Sequence, residues 1–298
     1  DASANVIITG LAGGSAGFLK TISNISADKT ITLADGAIVT SSTAANRFAF
    51  GGNNVILYPG QSVDLFYDAI SSRWRQKATH PMLPMPTPGG RLTLETGVPV
   101  STSEQTAKTT IYYTPYLHGF VPLYNGTHWY VMPFSEVSQT LADTTKSPAA
   151  AAVSSLYDLF LWNDAGTLRL SRGPAWSNAT TRSAGTALER INGIYTNDVD
   201  ITNGPLANRG LYVGTISTSA SGANGQLNMM FSPAAAAGGS ANRLDVWNMY
   251  NRVTVTSIVR DSNDTHNYTT ATIRAFGGST SNRATIVCGI DEDMVEAI

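Results

Sequence analysis

Cysteine, charge and long apolar runs are scarce in this sequence, and each shortage closes off a class of protein. Cys288 is the one cysteine in 298 residues, so there is no intrachain disulfide framework and no cysteine-based zinc site. Its surroundings, ATIVCGI over 284–290, read as a buried strand in which the thiol is an inert core group. Charged side chains are 13% of the chain, about half the usual quarter. The 19 basic and 21 acidic residues leave a formal charge of −2, and with no basic stripe nucleic-acid binding is not expected. No apolar run approaches the ~20 residues of a membrane-spanning helix, so membrane insertion is not expected either. No signal peptide is read at the start. Opening on Asp1 rather than Met, the chain is expected to be a processed or trimmed product.

What is present instead is hydroxyl, amide and glycine, with 42% hydrophobic residues, enough to exclude a disordered chain. Short apolar stretches alternate with polar residues and end at Gly, Asn, Asp or Pro, the pattern of strands joined by turns. Over 1–78 these are NVIITG, then Ile31, Leu33 and Ile38 around an Asp35-Gly36 turn, then NNVILYPGQSVDLFYDAISSRWRQ (53–76). Residues 79–90, THPMLPMPTPGG, read as an extended semi-rigid connector. Beyond it, strands are expected at 91–100, 109–116, 119–126, 127–134, 156–162, 167–172, 189–196, 210–218, 226–232, 243–260, 267–276 and 283–290. One helix start stands out: Ser147 can cap, Pro148 suits the first helical position, and four alanines follow. The expected fold is all-β, a small N-terminal β domain (1–78), the connector, and a larger β-sandwich or jelly-roll-like domain (91–298).

A loose echo runs through the chain. DLFYDAISSRW (64–74) and VPLYNGTHW (121–129) both read as strand, Tyr, Asx, turn, Trp, and LFLWNDAGTLRL (159–170) is related. One hairpin solution, reused, accounts for it.

Several motifs point to chemistry and fall short of it. The glycines at 10, 13, 14 and 17 do not spell a dinucleotide fingerprint, and Gly13-Gly14-Ser15-Ala16-Gly17 lacks the helix a nucleophile elbow needs, so a flexible Gly/Ser loop is expected. His80, His118, His128 and His266 have no metal-ligand spacing. Asp68, Glu136, Asp158, Asp164 and Asp245 sit near aromatics but form no glycosidase-like pair in sequence, so solvated turn acids are expected. Asp198, Asp200 and Asn203 resemble a calcium loop whose glycine, Gly204, falls one place late; DSNDTHN (261–267) is similarly incomplete. The five Asn-x-Ser/Thr sequons, beginning at Asn24, Asn125, Asn178, Asn263 and Asn267, matter only in a secreted eukaryotic protein. No catalytic residue, metal or cofactor is expected. The residues singled out as ligand or interface candidates are Tyr124, His128, Trp129 and Tyr130, in the aromatic stretch 120–134. That stretch is expected to be a core hairpin first and a contact surface second.

Two regions resemble known proteins. The 53–76 stretch, with PGQSV (59–63), Tyr67-Asp68 and Arg73-Trp74, resembles a module of bacteriophage tail-fibre and head-fibre proteins. The segments 91–102, 112–134, 156–176 and 186–197 resemble regions of phage virion structural proteins. The resemblance implies a non-enzymatic fibre or appendage of the virion, a homotrimer that meets other virion proteins, with the C-terminal domain available to a host surface glycan or protein. A 78-residue β segment without a covering helix leaves strand edges that subunit association would protect. Two alternatives stand beside this: a tail-spike depolymerase acting on host polysaccharide, which lacks the short regular repeat of a β-helix here, and a capsid decoration or tail-joint protein with no host ligand.

Overall fold

The computed structural model describes residues 4–77, 85–263, 265, 267, 269, 271, 272, 275 and 278–291. Among these the regular structure is all β, with two short 3-10 turns at 44–46 and 184–186 and no α-helix. Contacts divide the chain into two compact units, residues 1–86 with 128–132 and residues 87–127 with 133–298.

The first unit holds Val6–Ile8 (β1), Leu19–Ser23 (β2), Ile31–Leu33 (β3), Val55–Leu57 (β4), Ser62–Asp68 (β5) and Arg73–Gln76 (β6). They form two three-stranded sheets, β1-β3-β4 and β2-β5-β6. Phe48 bridges to Asp35 beyond β3 and to Trp74 of β6, closing the sheets around Leu33, Phe48, Leu57, Val63, Leu65, Tyr67 and Trp74. β5 shows the cause directly: Val63, Leu65 and Tyr67 are buried while Ser62 and Asp64 are exposed, the period-2 alternation of a half-buried strand. The Pro59-Gly60 step is a type II turn, with Gly60 at φ 78 and Gln61 N donating to Tyr58 O at 3.0 Å. Buried Asn24 holds that turn in place, its amide donating at 2.8 Å to both Leu57 O and Lys29 O.

Two expectations are corrected here. The glycine-rich loop is not slack at Gly14, where a Cβ would lie 2.1 Å from the Tyr67 ring; only a glycine lets the backbone approach that closely. Ile38 does not continue an alternating strand. Asp35 accepts the Ala37 and Phe50 amides instead, so the chain turns and Ile38 is left exposed.

The remaining strands are Gly90–Thr93 (β7), Gln105–Lys108 (β8), Thr110–Pro115 (β9), Phe120–Tyr124 (β10), Trp129–Pro133 (β11), Val137–Thr140 (β12), Leu156–Asp164 (β13), Thr167–Ala175 (β14), Leu188–Ile191 (β15), Ile194–Asn197 (β16), Leu211–Ser217 (β17), Leu227–Met229 (β18), Asn242–Leu244 (β19), Val246–Asn248 (β20) and Ala284–Ile286 (β21). A six-stranded sheet runs β14-β13-β17-β16-β15, with β20 also on β17. A four-stranded sheet runs β21-β19-β18-β8, a three-stranded one β12-β9-β7, and β10 pairs with β11. β12 lies against β14, and β7 against β17 and β20, a sandwich-like stacking. Asn248 joins two of these layers by acting as a backbone surrogate: its Oδ1 accepts from Leu92 N at 2.7 Å and its Nδ2 donates to Leu92 O at 3.1 Å.

β13 and β14 form the longest hairpin. Ala165 and Gly166 both have positive φ, 49 and 95, and Asp164 pairs with Thr167 across them, the two-residue turn whose twist matches the strands. Leu159, Phe160 and Leu161 are all buried because β13 is covered on both faces.

The helix expected from Ser147 does not form. Ser147 is buried and its hydroxyl accepts from Gln139 Nε2 at 2.8 Å and Arg172 N at 3.1 Å. Arg172, fully buried on β14, donates to Gln139 Oε1 and to the carbonyls of Thr140, Leu141, Asp143 and Ala149. A helix would commit the Ala149 carbonyl to its own ladder and draw Ser147 out to a cap, so these contacts override the alanines' propensity.

Two further readings change. The strand expected over 243–260 ends at Asn248, and residues 253–260 carry no ladder. Cys288 is exposed rather than core: β21 stops at Ile286, and Val287 points inward, so its successor points out. The connector's residues 79–84 and the histidines His80 and His266 lie outside the described residues, as do alternate positions of the strand expected over 267–276.

Candidate functional site

The aromatic hairpin divides its candidates by alternation. On β11, Tyr130 and Met132 are buried while Trp129 and Val131 are half-buried. On β10, Val121, Pro122 and Leu123 are buried, Tyr124 is half-buried and Phe120 is exposed. Asn125 builds the turn between them, its side-chain oxygen accepting from Thr127 N at 3.0 Å. The β5–β6 loop uses the same device, Asp68 accepting from Ile70 N at 3.0 Å, which is the physical content of the sequence echo. There Tyr67 faces Trp74 in register, rings edge-on with centroids 5.3 Å apart, and the Trp74 indole donates to Leu11 O at 2.8 Å. His128 meets Tyr58 edge-on at 4.9 Å, and burial holds its pKa below the ordinary value. Of the four candidates, therefore, Tyr130 is a packing residue, while Tyr124, His128 and Trp129 keep partial access to solvent.

The acids near aromatics each hold a piece of chain. Glu136 accepts from Thr96 Oγ1, Thr114 Oγ1 and Gly97 N at 2.5 to 2.6 Å. Burial opposes its charge, yet those three donors keep its pKa below the ordinary value. Asp164 accepts from Lys146 Nζ at 2.6 Å and Arg169 Nε at 3.3 Å. Asp245 pairs with Arg243 and takes both the backbone and side-chain N–H groups of Asn228 at 2.9 Å. Asp200 accepts from Ala207 N within its own loop, and Asn203 donates across to Thr144 O.

A second buried polar cluster surrounds Asp158 on β13. Its carboxylate accepts from Arg182 Nε at 2.8 Å and from Thr215 Oγ1 at 2.7 Å. Arg182 lies over the Trp176 ring, 4.3 Å from its centroid, and reaches the Tyr212 hydroxyl and the Gly289 carbonyl. Burial raises the pKa of Asp158, with Arg182 and Thr215 working against it, and burial raises that of Tyr212 as well. Sequence reasoning singled out Asp158 but missed Arg182 and Gly289, which lie 24 and 131 residues further along the chain; only a long-range strand pairing brings them together.

A surface cleft of about 270 Å³ opens in the second unit between Thr93, Ser101, Met229, Phe231, Val253 and Val255. Its one charged wall residue, Arg91, is already engaged, donating through Nε to Pro99 O at 3.0 Å and through Nη1 to Asn251 O. The lining is apolar with a hydroxyl rim, suited to neutral groups rather than to an anion.

No family model, no curated protein and no solved structure matches this chain.

Proposed function

We propose that this chain is a non-enzymatic structural protein of a bacteriophage virion, a fibre or appendage that assembles as a homotrimer. It binds other virion proteins and presents residues 91–298 to a host surface glycan or protein. The observation that carries this reading is the pair of Asx-turn hairpins, at 62–76 and 120–133, formed by residues of the resembling stretches. The exposed apolar residues of the first unit agree with it. Ile7 and Ile56 flank Thr32 across β1, β3 and β4 on a face where both are exposed, a row that a second copy would cover. The engaged state of Glu136, Asp158, Asp164 and Asp245 favours a scaffold over a hydrolase, because none presents a free carboxylate pair.

The test is direct. Light scattering on the full chain should give three times the 31.5 kDa protomer mass, and antibodies against it should label purified phage particles at an external position. A monomer that labels no particle overturns the reading. Turnover of host capsular polysaccharide by the purified chain would replace it with the depolymerase alternative.

A further inference from the structure

The last described stretch of the chain is fastened to the large sheet in an unusual way. β21 pairs in parallel with β19 over three residues at a sheet edge, its side chains exposed or half-buried. Val287 and Ile290 then dip onto Phe160, Tyr212 and Trp247. Between them Gly289 passes so low that a Cβ would sit 2.3 Å from Tyr212 Oη, 2.4 Å from Trp247 Cε3 and 2.6 Å from Thr215 Oγ1. Arg182 Nη2 donates to the carbonyl of that same Gly289.

We propose that residues 284–290 are a strap that opens independently of the sheet beneath, with Arg182 as its clasp. The clasp is held ready without the strap. Arg182 bonds Asp158 and stacks on Trp176 through contacts that do not involve Gly289, so opening need not orphan a buried charge. What opening gives up is a three-residue edge ladder with the Val287 N–Leu244 O bond, the packing of Val287, Gly289 and Ile290, and the bond at Gly289. Segments with so few buried contacts open at free energies well below global unfolding. Opening uncovers an aromatic floor of Phe160, Tyr212 and Trp247, which in the closed state Val287 and Ile290 shield. The inference does not depend on the virion reading.

Cys288, exposed on the strap and the one thiol in the chain, reports on it without any engineered site. In the full-length protein, amides of 287–290 should exchange at least about tenfold faster than those of 211–217. A spin label on Cys288 should gain a mobile component in Gly289→Ala, whose new methyl meets Tyr212 and Trp247, and in Arg182→Lys, whose single ammonium cannot serve Asp158 and Gly289 with the same fork. Near-UV circular dichroism of both variants should retain a folded core. Equal exchange rates for the strap and 211–217 in the unmodified chain would overturn the proposal. So would an unchanged label in a folded Gly289→Ala protein.

Discussion

Single residues in this protein act mainly by placing hydrogen-bond groups where the backbone needs them. Asp68 takes the Ser71 hydroxyl and the Arg75 guanidinium, and those donors, Ser71 first, bring its pKa from the ordinary 3.8 to about 2. A folded carboxyl that holds its proton less tightly than the unfolded one stabilises the fold above pH 3.8, and that contribution is lost as pH falls through about 2. Carbon-detected NMR should find the Asp68 midpoint near 2 and see it rise in Ser71→Ala. An unshifted midpoint in that variant would mean the hydroxyl is not the cause. Asp158 is the opposite case. It is fully buried beside Arg182, so Asp158→Asn removes the anion and strands a guanidinium, a loss on the order of 3 kcal/mol. Urea unfolding measures it, and a midpoint equal to the parent protein's would show that the pair contributes nothing net. The aromatic hairpin supplies a contrast within adjacent residues. Tyr130→Ala, at a site 4% exposed, should cost roughly 3 kcal/mol, as large aromatic truncations in cores do. Trp129→Ala, half-buried, should cost clearly less and leave a folded protein. The reverse order in urea would mean that Trp129, not Tyr130, is the packing residue.

At the scale of elements, long-range side-chain contacts decide where local preference is overruled. The alanine-rich stretch after Pro148 is held to Arg172 through the Ala149 carbonyl, one of five hydrogen bonds that the guanidinium makes to Gln139 and to four backbone carbonyls. Replacing it by Lys keeps the charge but loses the planar fork, leaving several buried carbonyls without donors. Arg172→Lys should lower stability by about 3 kcal/mol and raise the exchange rate of amides over 139–151 before those of β13. A variant as stable as the parent would show that the cage is incidental. Residues 253–260 show the same override from the other side: Val-Thr-Val-Thr is strong strand material, yet it carries no ladder, because strand propensity measures fit to neighbours rather than a backbone preference.

On the scale of the whole molecule, low charge goes with abundant turns and short strands. Asp68, Glu136, Asp158, Asp164 and Asp245 are engaged in loops and ion pairs, and exposed apolar side chains lie on sheet faces and loop tips, Ile70 at the tip of the β5–β6 hairpin being almost completely exposed. If the first unit associates through the Ile7–Ile56 face, Ile7→Asp should convert the full chain to monomers in light scattering without loss of fold. Persistence of the oligomer would move the interface elsewhere.

Much of the molecule was written locally. Period-2 alternation and Asx, Pro-Gly and Ala-Gly turns are decided within four to eight neighbouring residues, which is why the all-β class and the hairpins at 62–76, 120–133 and 156–175 are legible in the sequence alone. The rest depended on partners distant along the chain. Whether alanines become helix turned on Arg172, whether Cys288 is core turned on a strand ending two residues early, and whether Asp158 is a surface acid turned on Arg182 and Gly289. Sequence patterns determine which face of a strand is apolar; only the tertiary structure decides what covers it, because burial and pairing are properties of groups that the chain brings together from afar.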